Sequence, residues 1–182
     1  AGRTTSSPRD LIAMRGSLLN SIARFTDALD LVRPLLDDED DSTAGAVAAS
    51  SLTYLGQPDE ALRLASRARA LAVRRWEDSA QVFDLMTYDL SITLARYDRG
   101  ELVLGTELAQ GLYDELAGRA TGPATGGIGT LLAHGWMEQG RVRTALTCIQ
   151  RAMADYKALE VSMWWRMGLS RLVAIAAQAG SL

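Results

Sequence analysis

The sequence predicts an all-α fold built from repeated helical hairpins. Glycines end apolar runs at Gly56, Gly100, Gly140 and Gly180, about 40 residues apart. Small residues stand five positions after the first three glycines, and apolar residues stand eight positions before all four. Turns at a fixed phase of such a period are typical of a helical repeat array. The sequence has no sustained alternation of apolar and polar residues and no Asn-Gly or Asp-Gly dipeptide, so no strand is predicted.

The stretch LTYLGQPDEAL, residues 52–62, indicates how each hairpin turns. Gly56 follows an apolar run, where a helix that ends in the left-handed conformation favours glycine. Pro58 suits the first turn of the next helix, because its missing N–H needs no partner there. Asp59 and Glu60 then lie at the positive end of that helix dipole. The stretch therefore predicts a helix, a tight turn and a second helix.

The remaining elements are predicted in chain order from the same signals. Residues 8–36 form one or two helices with a break near Thr26 or Pro34, and the acidic run at 37–42 forms a linker. Later helices are predicted at about 43–55, 58–75, 78–99, 101–118, 124–139, 141–158 and 161–179. The chain thus divides into an N-terminal helical segment with its linker, 1–42, and a repeat array, 43–182.

Composition narrows the classes of function. A net charge of −3 over 182 residues argues against a dedicated nucleic-acid binder, which carries a clear basic excess. Cys148 is the one cysteine and His134 the one histidine, which argues against a disulfide framework and a Cys/His metal site. No apolar run reaches the length of a membrane span, and no signal segment opens the chain. We therefore expect a cytoplasmic protein without a metal or cofactor.

Several local patterns suggest chemistry, and for each we favour a structural explanation. Residues 121–130, TGPATGGIGT, lack the lysine and the preceding strand of a phosphate loop, so they predict a loop leading into a helix. Arg63, Arg67 and Arg74 share one helix face, which is expected to be a solvated surface, with an anionic or nucleic-acid partner as the alternative. Cys148 occupies an apolar-periodic position and is predicted to be a small buried hydrophobe.

Residues 52–72, LTYLGQPDEALRLASRARALA, resemble the tetratricopeptide-type hairpin, with its turn glycine and with alanines at positions 61, 65 and 68. Residues 131–146 and 164–180 resemble later repeats of the same kind. The sequence is similar to the repeat regions of large bacterial regulators, both LuxR-type regulators and signal-transduction ATPases. The resemblance implies an α-α superhelix of tetratricopeptide-like (TPR-like) hairpins with about seven to eight helices, carried by a fragment of a larger protein.

The resemblance also implies a binding groove lined by the first helix of each hairpin. Exposed positions in such a helix lie two, three, six and ten residues before the turn glycine. Carried onto this sequence, the groove residues are Ser50, Thr53, Tyr54, Tyr97, Asp98, Thr130, His134, Met137, Glu138, Ser170 and Gln178. Such a groove implies a non-catalytic interaction or sensory module that binds a protein, a peptide or a small ligand.

Two further hypotheses come from the residues themselves. His134 with Glu138, one helical turn away, is the acid–base pair that a small all-α enzyme would use, and an enzyme predicts one deep pocket with perturbed titrating groups. The last predicted helix is apolar on nearly all sides, and its adjacent Trp164 and Trp165 point about 100° apart. We therefore predict a homodimer or a packing contact through that helix.

Overall fold

A computed structural model describes residues 7–36, 42–75, 82–117, 123–155 and 163–180, and all regular elements in these ranges are helical. The α-helices are α1 Pro8–Ser21, α2 Phe25–Val32, α3 Ser42–Tyr54, α4 Pro58–Arg75, α5 Val82–Asp98, α6 Leu102–Ala117, α7 Pro123–Glu138, α8 Val142–Asp155 and α9 Met163–Gln178. A 3-10 turn at Arg33–Leu35 follows α2. The all-α prediction is confirmed, and the acidic run at 37–41 lies outside the described residues.

Each predicted turn glycine adopts the left-handed conformation. The φ angle is 72° at Gly56, 77° at Gly100, 76° at Gly140 and 66° at Gly180. The Gly56 N–H donates to the Thr53 carbonyl at 3.1 Å, while the following N–H donates to the Leu52 carbonyl at 2.9 Å. The same two bonds recur after α5 and α7, so the helices end in Schellman motifs. The predicted turns are therefore confirmed.

The connection between α1 and α2 has the same geometry without a glycine. Ala23 adopts a φ of 60°, its N–H donates to the Asn20 carbonyl at 3.0 Å, and the Arg24 N–H donates to the Leu19 carbonyl at 2.9 Å. The helix α1 begins with a capping box in which Ser7 and Asp10 exchange hydrogen bonds. The N-terminal residues therefore form a hairpin with the same turn as the later ones.

Contacts divide the chain into two compact units, Ala1–Ser91 and Ile92–Leu182. In the first unit, α1 and α2 pack on each other and on α3, and α3 packs along α4. A buried polar contact joins α1 to α3, because Asn20 Nδ2 donates to the Val47 carbonyl at 3.1 Å and Ser51 Oγ donates to Asn20 Oδ1 at 2.9 Å. Between α4 and α5, Arg69 Nε donates to the buried carboxylate of Asp89 at 2.6 Å.

In the second unit, α7 packs most extensively on α8 and also contacts α6 and α9. The core of this unit consists of Ala133, Met137, Ala145, Ile149, Ala152, Met153 and Ile175. The glycine-rich stretch lies inside α7 from Pro123 onward, so the helix predicted at about 124–139 is confirmed. A Cβ at Gly129 would lie 3.0 Å from Ala152 Cβ, so glycine there allows α7 to lie close against α8.

Candidate partner-binding face

The first helices of the hairpins, α1, α3, α5, α7 and α9, can be compared by counting back from the residue that ends each of them. We call this the turn residue, and in chain order it is Ala23, Gly56, Gly100, Gly140 and Gly180. Position −6, for example, lies six residues before the turn residue. Since helix faces repeat every three to four residues, sets of positions with this spacing define faces.

Positions −12, −9 and −5 are buried in α3, α5 and α7, and in α3 and α7 they lie on the face toward the preceding first helix of the same unit. Their residues are Ala44, Val47 and Ser51 in α3, Tyr88, Ser91 and Ala95 in α5, and Ile128, Leu131 and Gly135 in α7. In the first unit, Asn20 of α1 bonds to Val47 and Ser51. In the second unit, Tyr97 Oη donates to the Leu131 carbonyl at 3.1 Å.

Positions −7 and −3 form the face toward the following helices, and they are buried in α1, α3, α5 and α7. Their residues are Gly16 and Asn20, Ala49 and Thr53, Thr93 and Tyr97, and Ala133 and Met137. A Cβ at Gly16 would lie 2.8 Å from Val47 Cγ1 of α3. One at Gly105 of α6 would lie 2.6 Å from the Tyr97 ring. Little space therefore remains beside these positions.

The predicted exposure of four groove residues is wrong, because Thr53, Tyr97, Thr130 and Met137 are buried. Three of them occupy position −3, which packs between neighbouring helices. The hydroxyls of Thr53 and Thr130 each donate to the backbone carbonyl four residues earlier, at 2.9 Å, so their polar atoms are satisfied inside the helix. The accessible face of each first helix is narrower than predicted.

Positions −6 and −2 remain accessible or partly accessible on every first helix. The predicted groove residues at these positions are Ser50, Tyr54, Asp98, His134, Glu138 and Gln178, and Ser170 at position −10 is also exposed. In the first unit, the Tyr54 ring stacks on Phe25 of α2, with centroids 4.5 Å apart and an interplanar angle of 14°. That unit therefore offers an aromatic pair beside Ser50.

In the second unit, the accessible face carries the carboxylates of Asp98 and Glu138 and the partly buried imidazole of His134. The imidazole meets the Tyr97 ring edge-to-face at 5.4 Å. Its Nδ1 lies 3.7 Å from Glu138 Oε1, so the two groups are close but Nδ1 has no hydrogen bond within the described residues. Burial lowers the pKa of His134, the positive charge of Arg171 lowers it further, and Glu138 opposes both effects. The imidazole is therefore neutral at neutral pH.

Two carboxylates accompany His134 on this face. Asp98 of α5 and Glu138 of α7 both occupy position −2, and burial raises the pKa of Asp98. Arg171 of α9, which affects His134, was missed by the sequence prediction. It occupies position −9, where the other first helices carry Met14, Val47, Ser91 and Leu131. Arg171 is charged at a position where the other first helices carry uncharged residues, and this difference could have identified it from the sequence.

The other candidate chemistries have less support in the geometry. The 3.7 Å gap between His134 and Glu138 exceeds the reach of direct proton transfer in this conformation. The thiol of Cys148 is partly buried and donates to the Gly129 carbonyl at 3.3 Å, and burial raises its pKa to about 11, so it stays protonated at neutral pH. In the part of the chain that the structure describes, no cluster of three or more His, Cys, Asp and Glu residues could hold a metal ion.

The remaining predicted residues lie as follows. Arg63, Arg67 and Arg74 are exposed on α4, and Arg63 lies 3.5 Å from the Glu60 carboxylate. Trp164 and Trp165 belong to the first turn of α9, and their side chains lie outside the described residues. Among the helices within the described ranges, none is long and apolar enough to cross a membrane.

Comparison with known proteins identifies the fold. No family model and no curated protein matches the chain. Two crystal structures of a Podosopora anserina putative kinesin light chain with nearly identical TPR-like repeats are similar to it, one of them carrying a single substitution. Each is 14% identical with a TM-score of 0.66, covering 97% of this chain and 89% or 90% of the other. At this identity the likeness establishes the fold alone, and that fold is an all-α array of TPR-like repeats.

Proposed function

We propose that the chain is a non-catalytic interaction module, and that it binds its partner on the accessible face of the second unit. Three residues carry this proposal: Asp98 on α5, and His134 with Glu138 on α7. The main support is the burial pattern, because the other two faces of α5 and α7 are occupied by packing while positions −6 and −2 remain accessible. Repeat arrays bind through surfaces of this kind, which recur from one hairpin to the next.

The chemistry of the face favours a protein or peptide partner over a small ligand. The Glu138 carboxylate lies beside an uncharged imidazole, while Asp98 and the partly exposed Leu94 of α5 add a carboxylate and an apolar side chain at positions −2 and −6. Asp98 carries a burial penalty on its charged form, which a cationic side chain of a partner would relieve. A segment with basic and apolar residues fits this combination. The proposal includes a bacterial signalling or transcriptional regulator, in the cytoplasm, as the setting of the module.

Site-specific photo-cross-linking in the native host tests this face. A photoreactive residue replaces Glu138 on the proposed face or, as a matched control, Glu107, an exposed glutamate on α6. We expect a discrete cross-linked product from position 138 that is absent from position 107. That product should disappear when Asp98→Lys is introduced in the same chain. Equal labelling at both positions, or labelling that survives Asp98→Lys, would contradict the proposal.

We further infer that the chain associates with itself through α9. The supporting observation is that Leu169 and Val173 are 44% and 52% exposed, while Ile175 and Ala176 of the same helix are buried. An apolar face of this kind favours association. Sedimentation equilibrium of the chain over a range of concentrations measures it, and a single species with the mass of one chain at every concentration would contradict the inference.

A further inference from the structure

The helix α1 carries an exposed apolar stripe that we call the α1 stripe. It consists of Leu11, Met14, Leu18 and Ile22, which are 57%, 58%, 67% and 64% exposed. The first three occupy positions −12, −9 and −5. In α3, α5 and α7 these positions are buried, and in α3 and α7 they contact the preceding first helix of the same unit. The stripe thus occupies the positions at which α3 and α7 contact the preceding first helix.

The helix α9 carries the reciprocal surface, which we call the α9 face. It consists of Val173 and Ala177 at positions −7 and −3, with Leu169 one turn earlier, and all three are exposed. In the other four first helices positions −7 and −3 are buried. Leu169, Val173 and Ala177 are uncharged, so covering them with an apolar surface would bury no charge of their own.

Both units use one pairing rule between successive first helices. In the first unit, Gly16 and Asn20, at −7 and −3 of α1, meet Val47 and Ser51, at −9 and −5 of α3. In the second unit, Tyr97 at −3 of α5 meets α7, where it bonds to the carbonyl of Leu131 at −9. Positions −7 and −3 of one first helix thus receive positions −9 and −5 of the next.

We propose that the α1 stripe of one copy docks on the α9 face of a second copy. This proposal rests on the self-association inferred above and names the partner surface for it. By the pairing rule, Met14 and Leu18 of one chain would meet Val173 and Ala177 of another. The contact continues the helix pairing that the chain already builds twice, with apolar side chains on both sides. Arg15, which is exposed beside the stripe, can keep its guanidinium in solvent at the rim.

Such a contact joins two different surfaces, so it is heterologous. Each copy that has docked still presents one free α1 stripe or one free α9 face, and assembly proceeds beyond a dimer unless a ring closes. A two-fold dimer through α9 alone would instead stop at two copies. The stoichiometry and the effect of mixing variants therefore separate the two arrangements.

The test is sedimentation velocity of the wild-type chain, Leu18→Asp, Val173→Asp and an equimolar mixture of the two variants. We expect the wild type to form species larger than a dimer as concentration rises. Each variant alone should sediment as a monomer at concentrations where the wild type assembles, because the aspartate would be buried in the contact. Its dissociation constant for self-association should be at least about tenfold higher than that of the wild type. The mixture should form dimers, since Leu18→Asp keeps an intact α9 face and Val173→Asp keeps an intact α1 stripe. Leu104→Asp, at an exposed leucine of α6, should behave as wild type.

Three outcomes would overturn the proposal. Dimers of Val173→Asp alone would show that the α1 stripe pairs with itself. Dimers of Leu18→Asp alone would support the two-fold contact through α9, so the self-association would stand while its partner surface would be wrong. A monomeric wild type at all concentrations would reject both. Circular dichroism of each variant confirms that it is folded before the sedimentation data are interpreted.

Discussion

At the scale of single residues, the packing of the second unit depends on a glycine, Gly135, which has no side chain. Gly135 of α7 lies directly against the Tyr97 hydroxyl and Thr106 Oγ1, and a Cβ there would overlap both. These groups form a buried polar cluster, in which Thr106 also accepts a hydrogen bond from Gln139 Nε2 at 2.7 Å. Burial raises the pKa of Tyr97, so its hydroxyl remains a protonated donor to the α7 backbone. Steric fit and hydrogen bonding at this point depend on each other.

Two glycine substitutions should therefore change stability in opposite directions. Gly135→Ala should lower the free energy of unfolding by about 2–3 kcal/mol, because the methyl group displaces Tyr97 and Thr106. Gly111→Ala, at an exposed position of α6 with no described atom within 4 Å of the added methyl, should raise it by about 0.5–1 kcal/mol through helix propensity. Urea denaturation measures both values. Shifts of the same sign in the two variants would contradict this account of α7 packing.

The one histidine of the chain should make stability depend on pH from about 7.5 down to the folded-state pKa of His134. The folded-state pKa of His134 is lowered from its ordinary value of 6.5, so within this window the unfolded chain binds a proton more readily than the folded chain. The free energy of unfolding therefore falls as pH falls, by at most about 1.4 kcal/mol per pH unit for one group, and levels off below the folded pKa.

Urea midpoints at several pH values, compared between wild type and His134→Gln, isolate this contribution. The variant should show a flatter profile in the same window. Arg171→Gln should reduce the slope in part, because the second-largest cause of the pKa shift is then removed. An NMR titration of the imidazole gives the folded pKa directly, and a value above 6.5 would reverse the predicted sign.

At the scale of helices, a buried ion pair joins α4 to α5. The carboxylate of Asp89 is almost fully buried, while its partner Arg69 is about 40% exposed at the end of a long apolar stem. Burial of a carboxylate is unfavourable unless charged or polar partners stay in place. Arg67, two residues earlier on the same helix, is exposed. Neighbouring arginines of α4 thus have different surroundings.

Arg69→Met should lower the free energy of unfolding by about 2–3 kcal/mol, because it keeps the apolar stem but removes the charge that faces Asp89. Arg67→Met should change it by less than about 0.5 kcal/mol. The double variant Arg69→Met/Asp89→Leu should recover part of the loss, since no buried charge then remains. Chemical denaturation of the three variants tests this, and equal effects of the two single substitutions would show that the ion pair contributes little.

The helix turns were predictable from sequence, whereas the burial of the first helices was not. Gly56, Gly100 and Gly140 indicate their turns because a left-handed residue is a local requirement that glycine meets at little steric cost. The turn at Ala23 uses the same geometry with a residue that gives no such signal. The burial of Tyr97 depends on Gly105 and on α7, which are brought to it by folding. Contacts of that kind cannot be inferred from the spacing within one helix.

At the scale of the whole molecule, the chain has two compact units, and repeat arrays distribute their stability among neighbouring elements. A local substitution should therefore loosen one unit before the other. Asn20→Ala should remove the contact from α1 to Val47 and Ser51, and Gly135→Ala should disturb α7 against Tyr97. The two changes lie in different units, so each should reduce the protection of backbone amides from hydrogen exchange in its own unit.

Native-state hydrogen exchange resolves this prediction segment by segment. Asn20→Ala should increase exchange in α1, α2 and α3 by at least about tenfold while α8 keeps its wild-type rate. Gly135→Ala should have the reverse effect. An equal increase throughout α1 to α9 in either variant would show a single cooperative unit instead.

The alanine that ends α1 has a consequence for the order of folding. A left-handed conformation is unfavourable by about 1–2 kcal/mol for an L-residue with a Cβ, so the local sequence at Ala23 does not favour a chain reversal by itself. The hairpins that turn at Gly56, Gly100 and Gly140 can close through local preference as soon as their helices form. The first hairpin must instead wait for the packing of α1 on α3. We therefore expect Asn20→Ala to speed unfolding and leave the refolding rate nearly unchanged, with a φ-value near zero in stopped-flow experiments.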